Sequence, residues 1–138
     1  MRARDNIHLY QAAYTAAGAF NIADASNVYI YDSPITAASI NISATRGSIY
    51  NRQNWAAPSH QTARSGSITW SAKYDIDNYR GRLTAANGDF TISTARNIVF
   101  HDAVTTAKSV DIFAQTGSFT HTLNWTAPSV MTATAGDI

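Results

Sequence analysis

Residues 36–68 of the chain return at residues 106–138. TAASINISATRGSIYNRQNWAAPSHQTARSGSI (Thr36 to Ile68) lies over TAKSVDIFAQTGSFTHTLNWTAPSVMTATAGDI (Thr106 to Ile138) without a gap. The offset of 70 pairs Trp55 with Trp125, Gly47 with Gly117, Pro58 with Pro128 and Ser59 with Ser129. Upstream, Phe20, Ile22, Asn27 and Asp32 meet Phe90, Ile92, Asn97 and Asp102. A fixed-period repeat constrains architecture more strongly than any local propensity, because each unit buries its apolar face only against its neighbours.

Each 70-residue unit contains a shorter period. The apolar segment starts fall at Phe20, Ile40, His60, Phe90, Val110 and Val130, in steps of 20, 20, 30, 20 and 20. One unit therefore reads as two rungs of about twenty residues and one rung with a ten-residue excursion. Two residues on, the column is Ile22, Ile42, Thr62, Ile92, Ile112 and Thr132; apolar residues at i and i+2 mark a strand with one face turned inward. Asn27, Gly47, Gly66, Asn97, Gly117 and Gly136 follow. Glycine and asparagine tolerate positive φ, so this column predicts a corner in every rung, with Gly47 and Gly117 as corner residues. A second apolar column runs Val28, Ile49, Ile68, Ile98, Phe119 and Ile138. The expected fold is all-β: a single parallel β-solenoid over 1–138, about six rungs in two tandem units, roughly 1–68 and 69–138, with loop excursions at 1–14 and 70–84. About six rungs at the strand spacing give a rod of roughly 30 Å.

Composition agrees. The chain has no cysteine, so neither disulfides nor thiol chemistry enter. It has no glutamate, and lysine occurs only at Lys73 and Lys108; threonine, serine, isoleucine, tyrosine and asparagine prevail instead, which favours strands over helices. A net charge of +1 carries no nucleic-acid footprint. No apolar run approaches the roughly 18 residues of a membrane span, so membrane insertion is not expected. No hydrophobic h-region follows Met1-Arg2-Ala3-Arg4, so no signal peptide is expected in this stretch. Asp5 to Gly18 occupies the phase of Asp75 to Gly88, and Ile138 that of Ile68. With no polar cap at either end, the expectation is an excerpt of a longer array or a subunit that stacks end to end.

The stretch NGDFTISTARNIVFHDAVTTAKSVDIFAQTGSF (Asn87 to Phe119) has the pattern Gly-x-Φ-x-Φ, Asn-Ile-x-Φ, Ala-Val-Thr-Thr, Ser-Val-x-Ile-x-Ala-x-x-Gly, where Φ is apolar. It resembles the rungs of filamentous-haemagglutinin-like exoproteins and related bacterial adhesins built of β-strand repeats. The resemblance covers nearly the whole chain apart from 1–14 and 70–84. It implies right-handed β-helical fibres exported to the cell surface and used for adhesion, biofilm or matrix. The Asn-Pro-Asn-Gly-type secretion motif of that family does not occur in this sequence.

Catalytic and metal chemistry find little support. Asp75 and Asp77 point to one side of an extended segment, but calcium sites need more oxygen ligands than two. Polysaccharide-cleaving β-helices need paired carboxylates in a groove; Asp32 and Asp102 are equivalent positions in different units and too far apart to act together. The four histidines, His8, His60, His101 and His121, show no metal-ligand spacing. No enzyme activity, metal or cofactor is expected. An ice-binding face needs a flat array of threonines, and Thr62 and Thr132 stand in a column otherwise filled by isoleucine, which breaks such an array.

Two groups remain as candidate functional residues. Trp55 and Trp125 recur in Asn-Trp-(Ala/Thr)-Ala-Pro-Ser, read as corner wedges in which indole packs on alanine and proline while Asn54 and Asn124 satisfy the turn backbone; the sharper reading is an exposed sugar-stacking aromatic. The excursion from Trp70 to Arg82 combines Trp70, Tyr74 and Tyr79 with Arg80 and Arg82, and its N-terminal counterpart holds Arg2, Arg4, His8, Tyr10 and Tyr14. Insertions in solenoids often form the binding surface, and aromatic residues with arginine are the composition of interface hot spots. The competing reading is a flap that packs on the rod. The function expected is structural: a segment or self-stacking block of an extracellular bacterial fibre or cell-surface adhesin, with self-association as the partner. The alternative is a glycan-binding adhesin segment that uses the aromatic and arginine excursion.

Overall fold

The computed structural model describes residues 1–54, 58–123 and 129–138. They form a parallel β-solenoid with no helix. Each turn visits three sheets. The first turn carries β1 (Ile7–Tyr10), β2 (Tyr14–Thr15) and β3 (Phe20–Ala25); the second β4 (Val28–Tyr31), β5 (Ile35–Ala37) and β6 (Ile40–Ala44). The third carries β7 (Ile49–Arg52), β8 (His60–Ala63) and β9 (Ile68–Ala72). The fourth has β10 (Asp75–Tyr79), β11 (Arg82–Ala85) and β12 (Phe90–Thr94), and the fifth β13 (Asn97–His101), β14 (Val104–Ala107) and β15 (Val110–Ile112). A sixth, partial turn adds β16 (Phe119–Thr122) and β17 (Val130–Ala133). The first sheet has the order β1-β4-β7-β10-β13-β16, the second β2-β5-β8-β11-β14-β17, and the third β3-β6-β9-β12-β15, all parallel.

The inward residues stack like on like. Ile7, Val28, Ile49, Ile76, Ile98 and Phe119 form one register column of the first sheet. Phe20, Ile40, Ile68, Phe90 and Val110 form one in the third. Phe90, Phe100 and Phe119 pack edge or tilted in sequence, at 6.0 and 5.8 Å between ring centres. Each fully buried isoleucine, leucine or phenylalanine contributes about 1.5–3 kcal/mol, and no turn supplies this burial alone.

The columns correct the phase read from sequence. Phe20, Ile40, Phe90 and Val110 do share a sheet, but Ile68 stands between Ile40 and Phe90. His60 and Val130 open strands of the second sheet, beside Arg82 and Val104. The cause is the position of the extra residues. Between the first and second sheets the chain takes residues 80–81 in the fourth turn, but 53–59 in the third and 123–129 in the sixth. The lengthened segments are therefore the Asn-Trp-x-Ala-Pro-Ser motifs. Residues 70–84 form no excursion: they run through β9, β10 and β11 as a regular part of the coil. Residues 1–14 likewise include β1 and part of β2.

The same phase error hid a threonine column. Thr15, Thr36, Thr62, Thr84, Thr106 and Thr132 are register partners through all six turns of the second sheet. The column is one residue wide. His60 and Arg82 flank it on one side and Arg64 and Lys108 on the other, so it is continuous but is not a flat threonine plane.

Corners differ from expectation in mechanism. No described glycine has positive φ. Gly47 and Gly117 lie at corners because of space: a Cβ on Gly47 would fall 2.1 Å from Asn27 Oδ1, and one on Gly117 would fall 2.0 Å from Asn97 Oδ1. The carboxamide of each asparagine occupies the volume that the glycine of the next turn vacates, and accepts a hydrogen bond from the following backbone N–H, Ser48 at 2.8 Å and Ser118 at 3.3 Å. Positive φ occurs instead at Gln11, Asp32, Arg80 and Asp102, each directly after a first-sheet strand, with φ from 47 to 55°, and at Asp24 within β3, with φ 61°.

The core admits polar groups where they satisfy one another. Asn51 Nδ2 donates to Asn78 Oδ1 at 2.8 Å, Ser59 Oγ donates to Asn51 Oδ1 at 2.7 Å, and all three residues are fully buried. Gly81 seals this group, since a Cβ there would lie 2.0 Å from Asn78 Oδ1 and 2.2 Å from Asn51 Nδ2. Gly81→Ala is expected to destabilise the chain by about 1–3 kcal/mol through overpacking, and Trp70→Ala by about 3–5 kcal/mol through core loss. Urea titration followed by far-UV circular dichroism measures both.

Candidate functional site

The residues expected to form one binding loop are distributed around the coil. Trp70 is corrected outright: it is fully buried in the third sheet, between Ile42 and Ile92 in register. Its indole N–H donates to Gln61 Oε1 at 3.1 Å, and its ring meets Phe90 edge-on at 5.7 Å. A tryptophan in a regular strand, at an inward position, belongs to the core. Tyr14 is also inward, half-buried, the register partner of Ile35, with its ring edge on Phe20 at 6.0 Å. Arg82 lies exposed on the second sheet beside His60, whose imidazole is pushed below its ordinary range by burial and by the Arg82 charge.

Tyr74 sits at the corner between the third and first sheets, exposed, with Lys73 and Arg96 each 5.3 Å from its ring centre. Arg96 also binds the Asp75 carboxylate through two nitrogens, at 3.1 and 2.9 Å, and Asn97 Nδ2 donates to it at 3.0 Å. Burial pulls the Asp75 carboxyl upward, but these hydrogen bonds outweigh it and hold the group below the usual carboxylate range.

Tyr10, Tyr79 and Arg80 are brought to one place, the outer face of the first sheet. There the alternation of buried and open positions turns His8 and Tyr10, Tyr29 and Tyr31, Tyr50 and Arg52, Asp77 and Tyr79, Val99 and His101 outward in successive turns. The register stacks them. His8 lies on Tyr29 at 4.6 Å and 12°, Tyr29 on Tyr50 at 5.1 Å and 8°, and the Arg52 guanidinium is 5.4 Å from the Tyr50 ring centre. Arg52 forms an ion pair with Asp77. Arg80 is 5.1 Å from the Tyr79 ring centre and 3.9 Å from the Asp102 carboxylate. Burial pushes the Tyr31 phenol up, so it stays protonated and able to donate. A shallow groove lined by Arg52, Asn54, Asp77, Tyr79 and His101 runs at the edge of this face.

Four of these residues, Tyr29, Tyr31, Tyr50 and Arg52, were missed by the sequence reading. The signal was present: His8, Tyr29 and Tyr50 recur every 21 residues, as do Tyr10, Tyr31 and Arg52. A search at period 20 passes over them. The Asn54 backbone N–H donates to Asp32 Oδ1 at 2.8 Å; part of the turn its side chain is expected to satisfy lies outside the described residues. Trp55, Trp125 and Asn124 lie outside the described residues.

No family model, no curated protein and no solved structure matches the chain. What the geometry defines is a parallel β-solenoid of repeated turns with one tyrosine-rich face.

The Asp75 pairing generates a pH prediction. A carboxyl held below its unfolded value stabilises the fold above that value, about 3.9, and the contribution disappears as pH falls through the lowered folded value. Asp75→Asn should leave a shallower loss of stability between about pH 4 and pH 2 than the unaltered chain shows, measured by thermal melts across that range. An identical acid limb in both proteins would remove Asp75 from the account.

Proposed function

We propose that the chain is a structural segment or self-stacking building block of an extracellular bacterial fibre or surface adhesin, acting as a stiff rod. The observation that carries this reading is the unbroken register of the coil: like residues stack from turn to turn, as in the Ile7–Val28–Ile49–Ile76–Ile98–Phe119 column of the first sheet and the threonine column of the second. A structure built of turns that each bury their apolar residues against the next is a rod by construction. Phe119, the last member of its column, is 40% exposed, and a parallel edge with apolar residues can template further strands. The cysteine-free, Ser/Thr/Asn-rich composition and the resemblance of Asn87 to Phe119 to exoprotein rungs support an extracellular setting.

A second reading, glycan binding by an adhesin segment, is favoured by a separate observation. Tyr10, Tyr29, Tyr31, Tyr50 and Tyr79, five of the seven tyrosines, share the outer face of one sheet. On this reading the binding surface is that face rather than a loop.

Negative-stain electron microscopy over a concentration series tests the rod reading. Thin filaments are expected at micromolar protein, and Phe119→Asp, which places a charge on the exposed edge, should abolish them while leaving the circular dichroism spectrum unchanged. Discrete particles at every concentration would overturn self-stacking.

A further inference from the structure

The three outer faces of the coil are chemically distinct. The second sheet presents its threonine column with flanking cations, and the third presents Asn21, Asn41, Thr69 and Thr91 in register. Among the described residues, only the first sheet presents aromatic rings on its outer face in successive turns. Its His8–Tyr29–Tyr50 stack is closed by Arg52 below. Ring faces in this stack are occupied by one another, so the column offers ring edges, with phenolic hydroxyls from Tyr29 and Tyr50 in the second and third turns, rather than open platforms. Mutual stacking also fixes the rings before anything binds, and a rigid aromatic loses little conformational freedom on binding.

Charge selects among ligands. The arginines of this face are compensated: Arg52 pairs with Asp77, and Arg80 lies beside Asp102. A polyanion would have to compete with these carboxylates, whereas a neutral ligand leaves the pairs intact. Spacing is compatible. An extended β-1,4-linked glycan advances per sugar by slightly more than the ~4.8 Å between neighbouring strands, with successive sugars flipped, so sugars and turns stay in step over a few turns and equivalent sugar faces recur at alternate turns.

From this we infer that the outer face of the first sheet is a track for a neutral, extended β-linked polysaccharide of the cellulose or chitin type. It lies along the coil axis, with sugar hydroxyls bonded to Tyr29 and Tyr31 in the second turn and Tyr50 in the third, and its flank against Tyr10 and Tyr79. The inference rests on the glycan-binding reading above and names the ligand class and the surface.

The test uses the full chain with microcrystalline cellulose and chitin beads in pull-down, cellohexaose in solution, and alginate and heparin as acidic comparisons. Retention on cellulose or chitin, little changed by salt, is expected. The triple variant Tyr29→Phe, Tyr31→Phe, Tyr50→Phe keeps the rings and removes the hydroxyls, and should weaken binding at least about tenfold, the loss of one or two net hydrogen bonds. Thr84→Val on the second sheet should bind as the unaltered chain does. Nuclear magnetic resonance of the unaltered chain provides a readout independent of any variant's folding: cellohexaose should shift the His8 and tyrosine ring signals and leave the threonine methyl signals of the second sheet in place. Retention on alginate or heparin alone, abolished by salt, would overturn the neutral-ligand assignment while leaving glycan binding standing. No retention on any of the four would sink the glycan-binding reading itself. Binding with threonine rather than tyrosine signals moving would place the site on another face.

Discussion

Every feature of this chain depends on in-register parallel stacking between turns. The backbone ladder sets the spacing, and the register then brings each side chain onto its counterpart one turn away. Inside, this produces columns of isoleucine and phenylalanine whose burial is shared by neighbours. Outside, it makes a threonine column on one sheet, an asparagine and threonine column on another, and a tyrosine stack on the third. Because all of these follow from one register, a change that shifts one strand displaces several columns together.

Polar residues are tolerated within this scheme where the register provides a partner. Asn51 and Asn78 satisfy each other across one turn, with Ser59 completing the group. Gln61 interrupts a column that holds Ile35 and Leu83, and its carbonyl accepts the Trp70 indole N–H. Asn27 with Gly47 and Asn97 with Gly117 show a corner made by pairing a large residue with an absent one. The two 70-residue units use this corner alike, although their cores differ: Asn51 in the first unit corresponds to His121 in the second, and each accepts or shares a hydrogen bond with a serine eight residues on, Ser59 or Ser129.

The architecture was legible in the sequence because the 70-residue repeat and the apolar i, i+2 pairs survive small shifts of phase. The face assignments were not, for one physical reason. A lengthened corner and a lengthened strand give the same spacing in sequence, and the excess was placed at 70–84 instead of at the Asn-Trp-x-Ala-Pro-Ser segments. That single displacement turned Trp70 from core to surface and moved His60 into a column of isoleucines. It also broke the threonine column at Thr62 and concealed the tyrosine stack, whose period is 21 in the first three turns. Tyr10, Tyr79 and Arg80 were found because aromatic and cationic residues stand out wherever the turns are drawn; Tyr29 and Tyr50 required the correct register.

The register is also what a measurement reaches most directly. The chain has no cysteine, so a pair introduced at Thr62→Cys and Thr84→Cys reports on one contact alone. Adjacent parallel strands hold such positions at about 4.8 Å, inside the roughly 4.4–6.8 Å range over which Cα atoms support a disulfide. Mild oxidation should link this pair rapidly within the monomer, and the pair Thr62→Cys with Ile92→Cys, which the twenty-residue phase would join, should remain reduced. The opposite pattern would contradict the register, and with it the placement of every face described above.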